Sequence, residues 1–138
     1  MSPAKVTLIH HVAIQTANLD RAFQFYVEIL GAELLERRRF KRREQAWLRV
    51  GEVRLELYSA REGEALEAWS DRYAGPVHLA FAVPDLEAFL AAAQARGGRF
   101  HPSHPAPFVP PVPGAGLIAY LEGPDGEEVE IRSAEDAS

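Results

Sequence analysis

The chain has 138 residues, 47% hydrophobic and 25% charged, with a formal net charge of −5 and no cysteine. That length suits one domain or two small modules sharing a core. The acidic balance argues against a general nucleic-acid binder; the missing thiols exclude a disulfide frame, a cysteine nucleophile and a cysteine-ligated zinc.

No apolar run approaches membrane-spanning length, and Met1 to Lys5 lacks the apolar core of a signal peptide, which favours the cytoplasm. Residues 6–16 read as the first strand, with His11, Ala13 and Gln15 on one face and Val12, Ile14 and Thr16 on the other. His10 falls on the second face, where it is expected to pack beneath the helices. Asn18 caps a helix from Leu19 to Leu30 that buries Ala22, Phe23, Tyr26, Val27 and Leu30, and Gly31 stops it. Residues 32–40 and 44–50 read as two strands joined by a short basic turn. The run from Arg37 to Arg43 has two readings, a solvated hairpin or a rim that binds an anion such as a phosphate, carboxylate or thioester cofactor. Gly51 and Glu52 turn the chain into Val53–Tyr58, with Arg54, Glu56 and Tyr58 on its polar face. Residues 62–74 carry Leu66 and Trp69 at helical spacing and read as a short helix or linker.

The stretch Val77-His78-Leu79-Ala80-Phe81-Ala82-Val83 alternates with period two, a half-buried strand with His78 beside small alanines. Asp85 caps the helix that follows, through Leu86, Phe89, Leu90 and Ala93 to Gly97. A lone histidine in such a place is commonly structural, but this stretch occurs twice. Sliding the sequence along itself until His11 meets His78 also brings Ala13 onto Ala80, Ile14 onto Phe81, Asn18 onto Asp85, Leu19 onto Leu86 and Gly31 onto Gly98. Two similar modules follow: a single domain over 1–138 made of module 6–60, linker 61–75 and module 76–132.

Residues 101–115 hold six prolines and cannot pair regularly as a strand. A loop this long in a small domain is expected to act as a flap or binding loop. His101 and His104 within it read as surface histidines, since nothing fixes their direction. A strand from Leu117 to Glu122, the turn Gly123-Pro124-Asp125-Gly126 and a last strand from Glu127 to Arg132 complete the chain.

Four strands thus present a metal-ligand type opposite the apolar stripe: His11, Glu56, His78 and Glu130, a His and a Glu in each module. Two neutral imidazoles and two carboxylates suit a divalent ion such as Zn²⁺, Ni²⁺, Co²⁺, Mn²⁺ or Fe²⁺, and in a six-coordinate shell leave two positions for water or substrate.

The motifs His11-Val12-Ala13-Ile14, Leu55-Glu56-Leu57, Val77-His78-Leu79-Ala80-Phe81, and Gly123-Pro124-Asp125-Gly126 with Val129-Glu130-Ile131 resemble the vicinal oxygen chelate superfamily over residues 6–132. Its members include glyoxalase I, methylmalonyl-CoA epimerase, extradiol dioxygenases, fosfomycin-resistance proteins and drug-binding bleomycin-resistance proteins. The resemblance implies an α+β fold of two tandem βαβββ modules forming an open eight-stranded cup. It implies His11, Glu56, His78 and Glu130 as metal ligands, with Glu56 or Glu130 as the general base. Glutamate at position 56 is most similar to glyoxalase I; extradiol dioxygenases and fosfomycin transferases have no carboxylate ligand there, and methylmalonyl-CoA epimerases often carry glutamine. The chain departs from glyoxalase I at Gln15, where that strand usually has an arginine used for the glutathione. The resemblance therefore implies a metal-dependent isomerase or lyase, moving a proton next to a carbonyl through a metal-stabilised enediolate. Alternatives are a CoA-thioester epimerase or an antibiotic-binding protein. Expected partners are a small-molecule substrate, possibly anionic, and a second copy in a homodimer; no nucleic acid or membrane is expected.

Overall fold

The computed structural model describes residues 3–134; the ends of the 1–138 span lie outside them. The fold is α+β, two related βαβ-type units, each a sheet backed by a helix. Strand β1 (His11–Gln15) leads into helix α1 (Leu19–Phe23), which widens into a π-helical stretch over Gln24–Ile29. Strands β2 (Glu33–Phe40), β3 (Arg43–Val50) and β4 (Val53–Tyr58) follow. The second unit has β5 (Leu79–Val83), α2 (Leu86–Ala95), β6 (Ile118–Glu122) and β7 (Glu128–Ser133). The sheet orders are β1-β4-β3-β2 and β5-β7-β6. In each, the first strand lies parallel to the last, Ala13 opposite Glu56 and Ala80 opposite Glu130.

The duplication is visible in local geometry. Asn18 and Asp85 cap their helices from the same extended conformation, φ −144° and −138°, and accept from Arg21 N and Ala88 N at 3.1 and 3.0 Å. The two helices end differently. Leu30 ends the first and Gly31 (φ 85°) follows; Arg96 ends the second and Gly97, not Gly98, takes the left-handed turn at φ 93°. The π-wound stretch absorbs the one extra residue of the first copy. It also turns the buried face, which becomes Leu19, Ala22, Phe25, Tyr26 and Ile29, with Phe23, Val27 and Leu30 only partly covered.

Alternation then sets the core. Ala46, Leu48, Leu55 and Leu57 of the first sheet, and Ala119, Leu121, Val129 and Ile131 of the second, bury one face of each sheet in a single cluster with the helices. The opposite faces keep the polar residues.

Three expectations are revised. The first strand is shorter than 6–16: residues 6–10 stay unpaired, with Val6, Leu8 and Ile9 exposed. Residues 62–74 form turns, bends and coil, without the helix that the spacing of Leu66 and Trp69 allowed. Seven strands stand among the described residues, because the eighth is reduced to the isolated bridges Phe100–Leu121 and Phe108–Ile118. The prolines of 101–115 lack the N–H groups a ladder needs.

The units meet where the Gly123–Gly126 turn docks on the start of α1. Asp125 Oδ1 accepts from Ala17 N at 2.7 Å, and the buried Tyr26 hydroxyl donates to Glu127 Oε2 at 3.4 Å. No described helix is long and apolar enough to cross a membrane.

Candidate metal centre

Each sheet has one histidine–glutamate pair on its polar side, with His11 opening β1 and His78 standing one residue before β5, which is shorter than the expected strand from Val77. On the first, His11 Nε2 lies 3.7 Å from Glu56 Oε1; on the second, His78 Nε2 lies 3.4 Å from Glu130 Oε1. Both distances are long for a hydrogen bond. Two donors each about 2.1 Å from one ion stand about 3.0–3.4 Å apart at octahedral or tetrahedral angles, so the second pair matches and the first is slightly wider. Both carboxylates are buried, Glu56 to 7% and Glu130 to 8% exposure, while the histidines remain open to solvent on one side.

Each pair is held by the strand beside it. Gln45 Nε2 donates to Glu56 Oε2, and Tyr58 donates to the same oxygen at 2.5 Å, which leaves Oε1 turned to His11. Trp47 meets the His11 ring edge-on at 5.2 Å and 77°. In the second sheet Tyr120 occupies the place of Trp47, meeting His78 at 5.3 Å and 84° and donating to Glu130 Oε1 at 3.0 Å. Arg132 Nη1 stands 3.8 Å from Glu130 Oε2. The bond to Glu56 raises the Tyr58 phenol above its ordinary value, with burial adding to it. Burial first, and then Glu130, push Tyr120 up to about 12. Both phenols therefore stay protonated at neutral pH and donate to the carboxylates.

The four residues are not gathered within one chain. Among the described residues no group of three or more histidines and carboxylates could hold an ion. The pairs sit on separate sheets, at equivalent positions.

His10 corrects its expectation. It is exposed, and its Nδ1 stands 2.9 Å from His11 Nδ1 instead of packing beneath the helices, because the chain before His11 has no neighbouring strand to impose alternation. His101 is tied to the Gly126 carbonyl through Nε2 at 2.9 Å and to Ser103 Oγ at 2.8 Å. His104 stacks on Phe108 and Tyr120, at 4.5 and 4.8 Å. Neither joins the pairs His11–Glu56 and His78–Glu130; His101 Nδ1 stands 4.0 Å from Glu128 Oε1 instead. The proline-rich segment instead walls a cavity of about 360 Å³ that includes His104, Phe108, Pro110, Tyr120 and Glu130. A larger open cleft of about 1380 Å³ between the units touches His78 but neither Glu56 nor Glu130.

Sequence reasoning passed over Gln45, Trp47 and Tyr120. Their signal was strand alternation: Arg43, Gln45 and Trp47 share one face of β3, and Tyr120 stands between Ala119 and Leu121.

Comparison with known proteins places the fold. The family model of the Glyoxalase/Bleomycin resistance protein/Dioxygenase superfamily matches residues 8–131. A protein of Synechocystis sp. named as a probable lactoylglutathione lyase is 29% identical over 128 residues, 88% of this chain and 91% of that one. A glyoxalase family protein from Enterococcus faecalis has a similar structure, with TM-score 0.76 and 28% identity over 90% of this chain and 95% of that one. The trypanothione-dependent glyoxalase I of Leishmania major shares the fold, with TM-score 0.70 and 21% identity over 94% and 88% of the two chains.

Proposed function

Because the chain belongs to the Glyoxalase/Bleomycin resistance protein/Dioxygenase superfamily, we propose that it is a metal-dependent isomerase or lyase of glyoxalase-I-like type. It acts on a small molecule, moving a proton on the carbon beside a carbonyl. The observation that supports this most is the repeated pair: a histidine nitrogen and a buried carboxylate oxygen, 3.7 and 3.4 Å apart, at equivalent places on two sheets.

His11, Glu56, His78 and Glu130 would hold one divalent ion, Zn²⁺, Ni²⁺, Co²⁺, Mn²⁺ or Fe²⁺. The half-sites would meet across a symmetric homodimer, His11 and Glu56 of one copy facing His78 and Glu130 of the other. Two features support pairing of copies. Among the described residues strands β1 and β5 are sheet edges, which proteins rarely leave uncovered, and Val6, Leu8 and Ile9 lie exposed just before the first.

When bound, the ion supplies a Lewis acid that stabilises negative charge developing on two neighbouring substrate oxygens. The chain's own groups do the rest. Glu56, at Oε1, or Glu130 takes the proton and returns it to the neighbouring carbon. Gln45 and Tyr58 hold Glu56 by its other oxygen, so Oε1 is the one free to move. Tyr120 fixes the Glu130 plane, and the low exposure of both carboxylates keeps competing water away.

The lyase reading is favoured over the CoA-thioester epimerase because the basic run spends most of its exposed charge on its own chain. Arg37 pairs with Asp20 and Glu44, and Arg39 with Glu62. A drug-sequestering protein would have no use for two His–Glu pairs. The test is calorimetric titration of metal-depleted protein with Zn²⁺ and Ni²⁺, then turnover of the methylglyoxal hemithioacetal against methylmalonyl-CoA. About one ion per chain and turnover of the hemithioacetal are expected. Absence of specific uptake overturns the metal reading, and turnover of methylmalonyl-CoA alone moves the protein to the epimerases.

A further inference from the structure

We propose that Arg43 is the anchor for an anionic group of the substrate, one tyrosine ring away from Glu56. Its place in the fold is unusual for a cation. The first residue of β3, it shares the polar face with Gln45 and Trp47 and is only 7% exposed. Its guanidinium lies 3.8 Å over the Tyr58 ring, and the hydroxyl of that ring donates to Glu56. One Nη2 bond, 3.2 Å to Gln15 Oε1, is its hydrogen bond within the chain, and Nε is buried with no partner. Among the described residues no carboxylate stands within 4.0 Å of it.

The neighbouring cations show the reverse. Arg37 and Arg39, well exposed, each have a carboxylate within 3.6 Å. Water screens those pairs, so they contribute little. The buried arginine, for which a counter-ion matters most, has none. A desolvated guanidinium beside a neutral amide and an aromatic face is a poor device for stability. It is a good one for binding, because its fork is already oriented and largely dehydrated before an anion arrives. Gln15 turns its oxygen to Arg43, which leaves its own NH₂ to donate to the same anion. The basic run thus divides: the hairpin tip is solvated and self-paired, and its last residue serves the site.

The ligand is a carboxylate or phosphoryl group carried by the same molecule that reaches Glu56. Assigning it to the substrate rests on the proposed function; the anion subsite itself does not, and the experiment separates the two. Metal-depleted protein is melted with succinate, inorganic phosphate or chloride at matched ionic strength, for wild type, R43M and R43K. Without added anion, R43M is expected to melt higher than wild type, because an uncompensated cation has been removed. Wild type is expected to gain from succinate or phosphate beyond chloride, R43M to gain nothing, and R43K to bind about 10-fold more weakly, having charge without the fork. Which anion is effective identifies the tail as carboxylate or phosphoryl. Wild type unaffected by both anions, or R43M retaining the full gain, overturns the subsite. Should R43M fold poorly, R43K and Q15A still decide, since both weaken a true subsite and neither alters an irrelevant one. In metal-loaded protein, R43K should raise KM for an anionic thiol hemithioacetal about 10-fold and leave that for a neutral thiol unchanged. Equal effects on both overturn the assignment to the substrate while the melting result stands.

Discussion

Mixing two inactive variants tests whether the half-sites meet across two copies. His11→Ala removes a ligand from the first half-site and Glu130→Ala one from the second. The lesions lie on different sheets, β1 and β7. His11 keeps 38% of its side-chain surface exposed, so its loss leaves the core intact. If sites form between copies, a heterodimer carries both lesions in one site and none in the other. Random reassortment at equal amounts gives about half heterodimers, each with one sound site of two, so about a quarter of the wild-type sites return. The assay is metal per chain after refolding the variants together, with turnover alongside. Each variant alone should hold metal far more weakly, since loss of one ligand type leaves three donors. The reasoning fails if the mixture stays at the level of its parents, as it would were all four ligands drawn from one chain. A chain that sediments as a monomer at every concentration would remove the dimer itself.

Other outcomes follow from single positions. Burial raises the Glu127 carboxyl above its ordinary 4.5, with its own backbone and the Tyr26 hydroxyl opposing. The folded state thus holds that proton more tightly than the unfolded one. This contribution is full below pH 4.5 and is lost as pH rises through the raised value. E127Q, which keeps an acceptor for Tyr26, should flatten that part of the stability profile in urea titrations; an unchanged slope refutes the burial argument. A methyl at Gly98 would stand 2.9 Å from the Ala93 carbonyl oxygen. G98A should therefore destabilise by about 1–3 kcal/mol in urea unfolding, and a neutral result would mean that the end of α2 gives way freely. The segment 101–115 walls the cavity beside Glu130. Its amide exchange should slow when a substrate analogue binds, and unchanged exchange under saturation removes its role as a flap.

Much of this architecture could be read from the chain, because its signals were local and repeated. Alternation around Leu55 and Val129 told which face is buried, and Asn18 and Asp85 marked both helix starts through their short acceptor side chains. What escaped was set by neighbours distant in sequence. His10 obeys no alternation, because nothing pairs with residues 6–10 to impose it. The buried face of the first helix was misjudged because π winding shifted it from Phe23 and Val27 to Phe25 and Ile29. Nothing in Gln24–Ile29 taken alone announces that winding.

The pairs themselves show where sequence reasoning meets its physical boundary. A duplication states that His11 and His78 occupy equivalent positions; it does not state which copy of one stands near which copy of the other. Among the described residues His11 meets Glu56 and His78 meets Glu130, with no second carboxylate within 4.0 Å of either. A pair supplies two donors, whereas an ion of this class takes four to six. A half-site of two would hold an ion weakly and leave it open on most sides. Duplication thus makes the function proposed here dependent on association: bringing unlike halves together completes two sites at once, and separating the copies dismantles both. Activity per chain should accordingly fall on dilution below the dimer dissociation constant, with metal released in parallel. A chain whose activity per subunit stays constant from micromolar to sub-nanomolar concentration, while sedimentation shows it dissociating, would place a complete site within the monomer and defeat the argument.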